Sequence, residues 1–532
     1  MPSIDWIGKA AVERHHLEVP YRLVHCDGKL SAGDVAAGNL LVQGDNLEAL
    51  RALLPYYAGR VKCIYIDPPY NTGNEKWAYN DRVNSPEINR WLGKVVGGEA
   101  EDLCRHDKWL CMMYPRLHLL REFLRKDGFI FISIDGNEQH RLRMMMDEIF
   151  GGNNSIAQIS WQGLHTTKND AKGFSVNNEF IIAYAKNAAS VSINGILKSE
   201  ESQQNYKNRD NDPRGEYLLT PLHAKSGKDS SIYEFVFPNG QKWKPPRGRY
   251  PVFSKATLEK MVKENRIYYD PSGRRDPYRK TFKSEISDRM PPPTFWDHGR
   301  FGSTLEANAE LRGILGRGAF DNPKPSRLIR NILSIMDTKD SIIMDSFAGS
   351  GTTAHAVLQQ NKEDGGNRRF VLVEMDKKIS ETIAAKRIKK VIAGYKNGGK
   401  KTAALGGGFH FCTLGVPLFD ENGNIGKTVK FTDLAAHIFF SETGKPIPKR
   451  PKKALLGEDE GRAIYLLYSG VMGDKRKDGG NMLTSKTLAK LPKPSVADMR
   501  RIVFAEGTLL SPERLKREKI DFRQIPYKIR MR

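Results

Sequence analysis

The stretch Ile64–Gly73, IYIDPPYNTG, decides how this chain is read. Ile64, Tyr65 and Ile66 carry the β-branched and aromatic side chains of a buried strand. Asp67 follows, and Pro68 and Pro69 then lack the N–H that a strand ladder or a helix interior needs. The strand must end in a stiff, extended turn that sets an acid, two proline carbonyls and the Tyr70 ring side by side. A strand terminator with a capping Asp accounts for such a turn as well as a reactive site does, so the rest of the chain has to choose between them.

Working outward, strand-like and helix-like pieces alternate. Residues 40–43 (LLVQ) predict a strand and residues 46–54 (NLEALRALL) a helix. Residues 115–126 (PRLHLLREFLRK) predict a second helix stopped by Gly128, and residues 129–134 (FIFISI) a buried strand. This βαβα rhythm predicts a parallel sheet wrapped by helices. It breaks after about Ile159. From there to about Met290 the chain is polar, basic and aromatic, and residues 233–243 (YEFVFPNGQKW) carry the Asn239-Gly240 signal of a tight hairpin. An inserted recognition domain and an ordinary surface insertion fit that composition equally. The rhythm returns with a helix over 325–333, a strand over 341–345 running into FAGSGT at 347–352, and a strand over 370–374. Residues 396–402 (KNGGKKT) predict a linker, and residues 445–453 (KPIPKRPKK) a flexible basic run.

At 532 residues the chain is long enough for two to four domains. Its 85 Lys and Arg against 62 Asp and Glu leave a net charge of +23, a field that concentrates polyanions and makes nucleic acid the first partner to consider. The five cysteines, Cys26, Cys63, Cys104, Cys111 and Cys412, form no C-x-x-C pair, which predicts reduced thiols in a cytoplasmic protein and no structural zinc. Met1–Ala10 has no apolar leader pattern, and no stretch reaches the roughly 18 apolar residues of a membrane span.

In the second α/β segment, Gly349, Gly351 and Ala354 have the G-x-G-x-x-G/A spacing of a dinucleotide loop at a helix N-terminus. Glu374, at the end of the next strand, stands where an acid accepts both hydroxyls of a ribose. A nicotinamide dehydrogenase fits these residues alone, as does a tight packing turn. A dehydrogenase, however, opens on its glycine loop, whereas here an α/β unit ending in Asp-Pro-Pro-Tyr lies far upstream, as though one sheet were written starting from its middle. ATP chemistry is a poor fit, because residues 394–401 (GYKNGGKK) place Lys401 where a phosphate-binding loop needs Ser or Thr for magnesium.

The pair of Asp67-Pro68-Pro69-Tyr70 before an insertion and Phe347-Ala348-Gly349-Ser350-Gly351 after it resembles the signature of the circularly permuted beta group of DNA amino-methyltransferases. Residues 44–50 (GDNLEAL), 320–329 (FDNPKPSRLI), 406–414 (GGGFHFCTL) and 431–435 (FTDLA) extend the likeness to the modification subunits of type III restriction-modification systems, over nearly the whole chain. The resemblance implies an α/β fold: a permuted Rossmann-like, S-adenosylmethionine-dependent methyltransferase sheet with an inserted target-recognition domain and a C-terminal α+β extension. It implies catalytic-domain parts at 1–159 and 301–400, target recognition at 160–300, and the extension at 401–532. It also implies that Phe347, Gly349, Gly351 and Thr352, with Asp345 at the head of their loop, hold the methionine part of S-adenosylmethionine. Glu374 would take the ribose, Asp45 and Asn46 would lie at the adenine end, and Pro323 with Lys324 would line the carboxylate side. For Asp45 a helix N-cap, and for Lys324 a surface lysine, fit as well. Double-stranded DNA, a second copy of the chain and a separate restriction subunit carrying helicase and nuclease are the implied partners.

The chemistry suits the motif. An exocyclic amine is a poor nucleophile because its lone pair is delocalised into the ring. The Asp67 carboxylate, with a carbonyl from Pro68 or the next peptide, can accept both N–H groups and localise that pair. Tyr70 offers a flat face for an extruded base, whose stacking is worth about 1–3 kcal/mol. Ring-carbon methylation would need an activated thiolate in a Pro-Cys context, and the chain has no Pro-Cys. Asp in the first motif position implies the N6 amine of adenine, with the N4 amine of cytosine as the alternative. The Asn-Pro-Pro-Tyr enzymes that act on glutamine or RNA differ at Asp67. A binding protein of the same fold without catalysis is the reading from another class.

Overall fold

The computed structural model describes residues 3–72, 93, 95, 104–166, 173–198, 204–272, 274–397, 399–448, 453–470, 480–496 and 498–525. Gly73 of the opening stretch and residues 449–452 of the basic run lie outside them. The central element is a ten-stranded sheet. Its strands in chain order are β1 (Arg22–Gly33), β2 (Leu40–Gln43), β3 (Val61–Ile66), β4 (Leu124–Ile134), β5 (Ser155–Trp161), β6 (Glu179–Ala185), β7 (Phe295–Trp296), β8 (Ile342–Asp345), β9 (Arg369–Glu374) and β10 (Gly408–Pro417). Their lateral order is β1-β10-β2-β9-β8-β3-β4-β6-β5-β7. From β10 to β4 every neighbour is parallel, while β6 runs antiparallel to both β4 and β5. The middle of the sheet joins β3 from the first part of the chain to β8 from the second, which is the permuted order expected.

The helices that bear on the site are α1 (Asn46–Tyr57), α2 (Arg105–Phe123), α3 (Gln139–Phe150), α4 (Ser326–Ile335), α5 (Thr352–Asp364) and α6 (Phe431–Thr443). All six residues of β3 are buried, as a central parallel strand covered on both faces must be. Ile64 and Ile66 are fully enclosed, each worth about 2 kcal/mol relative to exposure.

Two local expectations give way to tertiary packing. Pro115 does not start a helix. It sits inside α2, whose entry is set eleven residues earlier by Cys104, where the Asp107 carboxylate accepts the Cys104 N–H at 3.0 Å. The fully buried Trp109, Met113, Leu117 and Leu120 hold this helix despite the missing proline N–H. The helix also ends at Phe123 rather than Lys126, because Leu124 already pairs with Val61 of β3. Residues 396–402 are likewise not a bare linker: Tyr395–Asn397 and Lys400–Thr402 pair as a short antiparallel hairpin.

The scattered cysteines conceal a cross-strand pair. Cys26 of β1 and Cys412 of β10 face each other in antiparallel register and are joined by a disulfide, contrary to the expectation of reduced thiols throughout. Their sequence separation of 386 residues is why spacing could not reveal it. Among the described residues no helix is long and apolar enough to cross a membrane.

A separate compact unit spans Asn194–Pro292. It lies inside the 160–300 span, whose flanks β5, β6 and β7 belong to the main sheet. Its three-stranded sheet sets Tyr278–Phe282 between Ile267–Tyr268 and Tyr217–Pro221, and Leu222, Phe235, Phe237, Trp243, Leu258 and Ile267 form its core. The expected hairpin is present, with Phe235 opposite Trp243. Its loop has three residues, closed by Gly240 at φ 82° after Pro238 and Asn239, and not the two of an Asn-Gly turn. The buried Lys280 ammonium is balanced by Asp210 and Asp212.

At the C-terminal end, β10 belongs to the main sheet, and a second, four-stranded sheet follows from strands Leu455–Asp459, Arg462–Leu466, Arg500–Ala505 and Ile520–Gln524. The seam between β10 and β1 is tight at Gly408, where an added Cβ would strike the backbone of Asp34. Gly408→Ala is therefore expected to destabilise the fold by about 2 kcal/mol, seen as a lowered thermal midpoint. An unchanged midpoint would show that the seam yields.

Candidate active site

Three adjacent parallel strands end on acids at one edge of the sheet: Asp67 just beyond β3, Asp345 closing β8 and Glu374 closing β9. The register pairs Met344 with Ile64 and Asp345 with Leu372, so the turn quoted first and the glycine loop emerge side by side. This carboxyl edge is where open α/β sheets bind ligands.

The loop after β8 requires its glycines. Gly349 has φ 51° and Gly351, capping α5, has φ 77°, both in the left-handed region that glycine enters without penalty. Gly349 N–H donates to Glu374 Oε2 at 2.8 Å and Asp376 N–H to Oε1 at 2.9 Å, so the Glu374 carboxylate is aimed by backbone donors from two loops. Asp345 accepts from Phe347 N–H at 3.0 Å and from the Thr353 hydroxyl at 2.6 Å. Asp345 thereby shapes the loop, and it also lines a cleft beside Lys324 and Gly349. Thr352 hydroxyl donates to the Lys324 carbonyl at 3.2 Å and accepts from Arg387 at 2.9 Å, tying the loop to the Pro323-Lys324 segment. Arg387 is fully buried and also meets Glu310 at 3.0 Å, and no sequence signal singled it out.

Two narrow clefts flank this loop. Asn46, Asp67, Phe347 and Glu374 line one, with Arg116 and Met112. Pro323, Lys324, Phe347, Gly349, Thr352 and Asp67 line the other. The Glu374 carboxylate, glycine backbone without Cβ atoms and the Phe347 ring beside these clefts are the kind of lining that an adenosyl cofactor takes. The residues therefore fit S-adenosylmethionine. Asp45 stands back from the clefts. Its carboxylate caps α1, accepting from Leu47 and Glu48 N–H at 2.9 and 3.1 Å, and meets Arg116 at 3.2 Å. Arg116 also binds the Asn46 side chain, so Asn46 is the member of the pair held toward the cleft.

On the other side of Asp67 lies a cavity of about 250 Å3, lined by Tyr70, Thr72, Asp135, Asn177, Glu179 and Lys324 among others. Tyr70 is buried, and its hydroxyl lies 2.8 Å from both Asp67 Oδ1 and Glu179 Oε2. The Lys324 ammonium reaches Asp67 Oδ2 at 3.0 Å and Glu179 Oε2 at 3.2 Å, and sits 4.8 Å from the centre of the Tyr70 ring. Burial lifts the Asp67 pKa above the usual carboxylate range, a rise that Lys324 opposes and Glu179 reinforces. Burial acts to lower that of Lys324, but the two acids outweigh it and leave it raised. Lys324 is thus a buried partner of the Asp67–Tyr70 turn and not the surface lysine that its two flanking prolines allowed. Glu179 went unnoticed because an acid opening the strand EFIIAYA reads as an ordinary polar edge residue.

The turn itself is braced from behind. Pro69 carbonyl accepts the Trp109 indole N–H at 2.7 Å, and Asn71, at φ 58°, binds the buried Glu138 and the Arg105 carbonyl. Of the two proline carbonyls, Pro68 is the one that Trp109 leaves.

Burial pushes the Asp345 carboxyl up to about 7, against an ordinary value of about 4. The unfolded chain releases this proton first, so the group's stabilising contribution is complete below pH ~4 and is lost as pH rises to ~7. Asp345→Asn should therefore gain thermal midpoint relative to the wild type as pH goes from 4 to 7 and level off above. A difference independent of pH would contradict that assignment.

The DNA methylase family, N6_N4_Mtase, matches residues 61–386, more than half of the chain. The Mod subunit of the type III restriction-modification enzyme StyLTI from Salmonella typhimurium is 35% identical over 407 residues, covering 74% of this chain and 60% of its own. The EcoPI Mod subunit of Escherichia phage P1 is 32% identical over 432 residues, covering 71% and 64%. The chain thus spans a little under two thirds of the length of these subunits. The type II methyltransferase M.KpnI from Klebsiella pneumoniae is 30% identical over 396 residues, covering 71% of this chain and 87% of its own. With the matched span running from the first residue of β3 past the glycine loop and Glu374, the chain belongs to the N6_N4 DNA methylase family.

Proposed function

We propose that the protein transfers a methyl group from S-adenosylmethionine to the N6 amine of adenine in duplex DNA, as the modification subunit of a type III restriction-modification system. One observation carries this reading. Asp67 lines both clefts beside the glycine loop, while Tyr70, three residues on, lines the 250 Å3 cavity. The motif therefore stands between a place for a methyl donor and a place for a flipped base.

When bound, the cofactor supplies an electrophilic methyl on a sulfonium sulfur. The chain's own residues do the rest. Glu374, aimed by Gly349 and Asp376 N–H, holds the ribose hydroxyls. Asp67 and the Pro68 carbonyl would accept the two amine N–H groups and localise the nitrogen lone pair, and Asp67 would take the proton the amine releases once the methyl's bond to sulfur is exchanged for the bond to nitrogen, leaving a neutral thioether. Tyr70, held by its hydroxyl, sets the plane against which the base rests.

The unit Asn194–Pro292 is the proposed reader of DNA sequence, with Lys225, Lys228, Lys242, Lys244 and Arg247 exposed on it. The net charge of +23 supports backbone attraction. A homodimer and a separate restriction subunit with helicase and nuclease complete the proposal.

Purified protein with tritiated cofactor and duplex DNA should label adenine, and Asp67→Ala should lower the rate at least ~1000-fold with cofactor binding retained. Label on cytosine would change the substrate, and full labelling by the variant would remove Asp67 from the mechanism. DNA affinity should fall at least ~10-fold between 50 and 200 mM salt. Salt-independent binding would contradict the electrostatic role of the charge excess.

A further inference from the structure

Asp67 is engaged before any base arrives. Its Oδ1 lies 2.8 Å from the Tyr70 hydroxyl and its Oδ2 3.0 Å from the Lys324 ammonium. An amine that becomes cationic during transfer gains least from a carboxylate already neutralised by a lysine. The substrate can use Asp67 to full effect only if Lys324 has another anion to hold.

Glu179 is that anion. Its Oε2 is already 2.8 Å from the Tyr70 hydroxyl and 3.2 Å from Lys324, so both donors can turn to it without leaving their places. It is the first residue of β6, which pairs with β4 on one side and β5 on the other, so the carboxylate stands on a rigid strand. It also lines the 250 Å3 cavity, which Asp67 does not. Two acids share one ammonium, which leaves one negative charge in the group for the incoming amine.

We propose that Glu179 is a positioning residue for the methyl transfer, drawing Lys324 and the Tyr70 hydroxyl onto itself so that the Asp67 carboxylate is freed for the substrate amine. This rests on the reaction proposed above. No bond to Glu179 is made or broken, and the proton released by the amine still goes to Asp67.

The test is a double-mutant cycle read as kcat at saturating S-adenosylmethionine and DNA, with cofactor affinity followed by calorimetry. Glu179→Gln, which keeps shape but removes charge, should lower kcat about 10- to 100-fold and change cofactor affinity less than about threefold. Glu179→Asp, which keeps the charge, should restore part of that loss. The decisive variant is Glu179→Gln with Lys324→Gln: deleting the unshared ammonium should raise kcat above that of Glu179→Gln alone. A Glu179→Gln enzyme with wild-type kcat would overturn the proposal, as would a double variant slower than Glu179→Gln. Should Glu179→Gln fail to fold, the same coupling is read from Glu179→Ala, which also removes the charge, with and without Lys324→Gln. Failure of the underlying reaction is distinguishable, since the wild-type chain would then methylate no DNA amine at all.

Discussion

Everything at the site depends on the parallel pairing of β3 with β8. These strands come from parts of the chain separated by a whole inserted unit, yet their register sets Ile64 beside Met344 at the middle of the sheet. Because side chains alternate faces along a strand, a slip of one residue would turn Ile64 and Ile66 out of the packing they fill and carry Asp67 away from the glycine loop. The pairing is secured by burial on both faces: every residue of β3 and β8 is buried, and helices from both halves of the chain cover them. The separate unit is inserted in the chain between β6 and β7, so no central strand is interrupted by it.

Given that register, the edge becomes a problem of buried charge. Asp67, Asp345 and Glu374 come close together where water is scarce, and each is handled differently. Glu374 is satisfied by backbone N–H groups, Asp345 by a hydroxyl and an N–H with its carboxyl raised toward neutrality, and Asp67 by a lysine shared with a second acid. The first two arrangements are fixed. The third can exchange partners, because Tyr70 and Lys324 each have two acceptors in range, as the proposed release of Asp67 to a substrate amine requires. The same logic explains Arg116 and Arg387, which are fully or nearly fully buried and spend their donors on Asn46, Asp45, Ser350, Thr352 and Glu310 to hold the two halves of the site in place.

Much of this was legible before the structure, and for a physical reason. Asp-Pro-Pro-Tyr, the spaced glycines and Glu374 all sit where a strand ends, and strand ends announce themselves through prolines, glycines and the stop of an apolar run. Residues that act across the fold leave no such mark. Glu179 opens a strand that pairs antiparallel with β4, Arg387 lies on a basic helical run, and Cys26 and Cys412 become neighbours only when β1 and β10 pair. Pro115 misled in the opposite sense: a strong local signal for a helix start was overridden by a buried helix that begins well before it. The permuted order itself could be inferred, since two partial α/β segments flanked an insertion. Which strands meet in the middle could not be read until they were paired.

If this edge of the sheet methylates an amine of a base chosen by sequence, long-read sequencing of DNA from cells expressing the protein will detect the methylated bases. N6-methyladenine is expected at one short recurring sequence, absent from cells lacking the protein. DNA without any new methylated amine, or methylation spread without a recurring sequence, would contradict it.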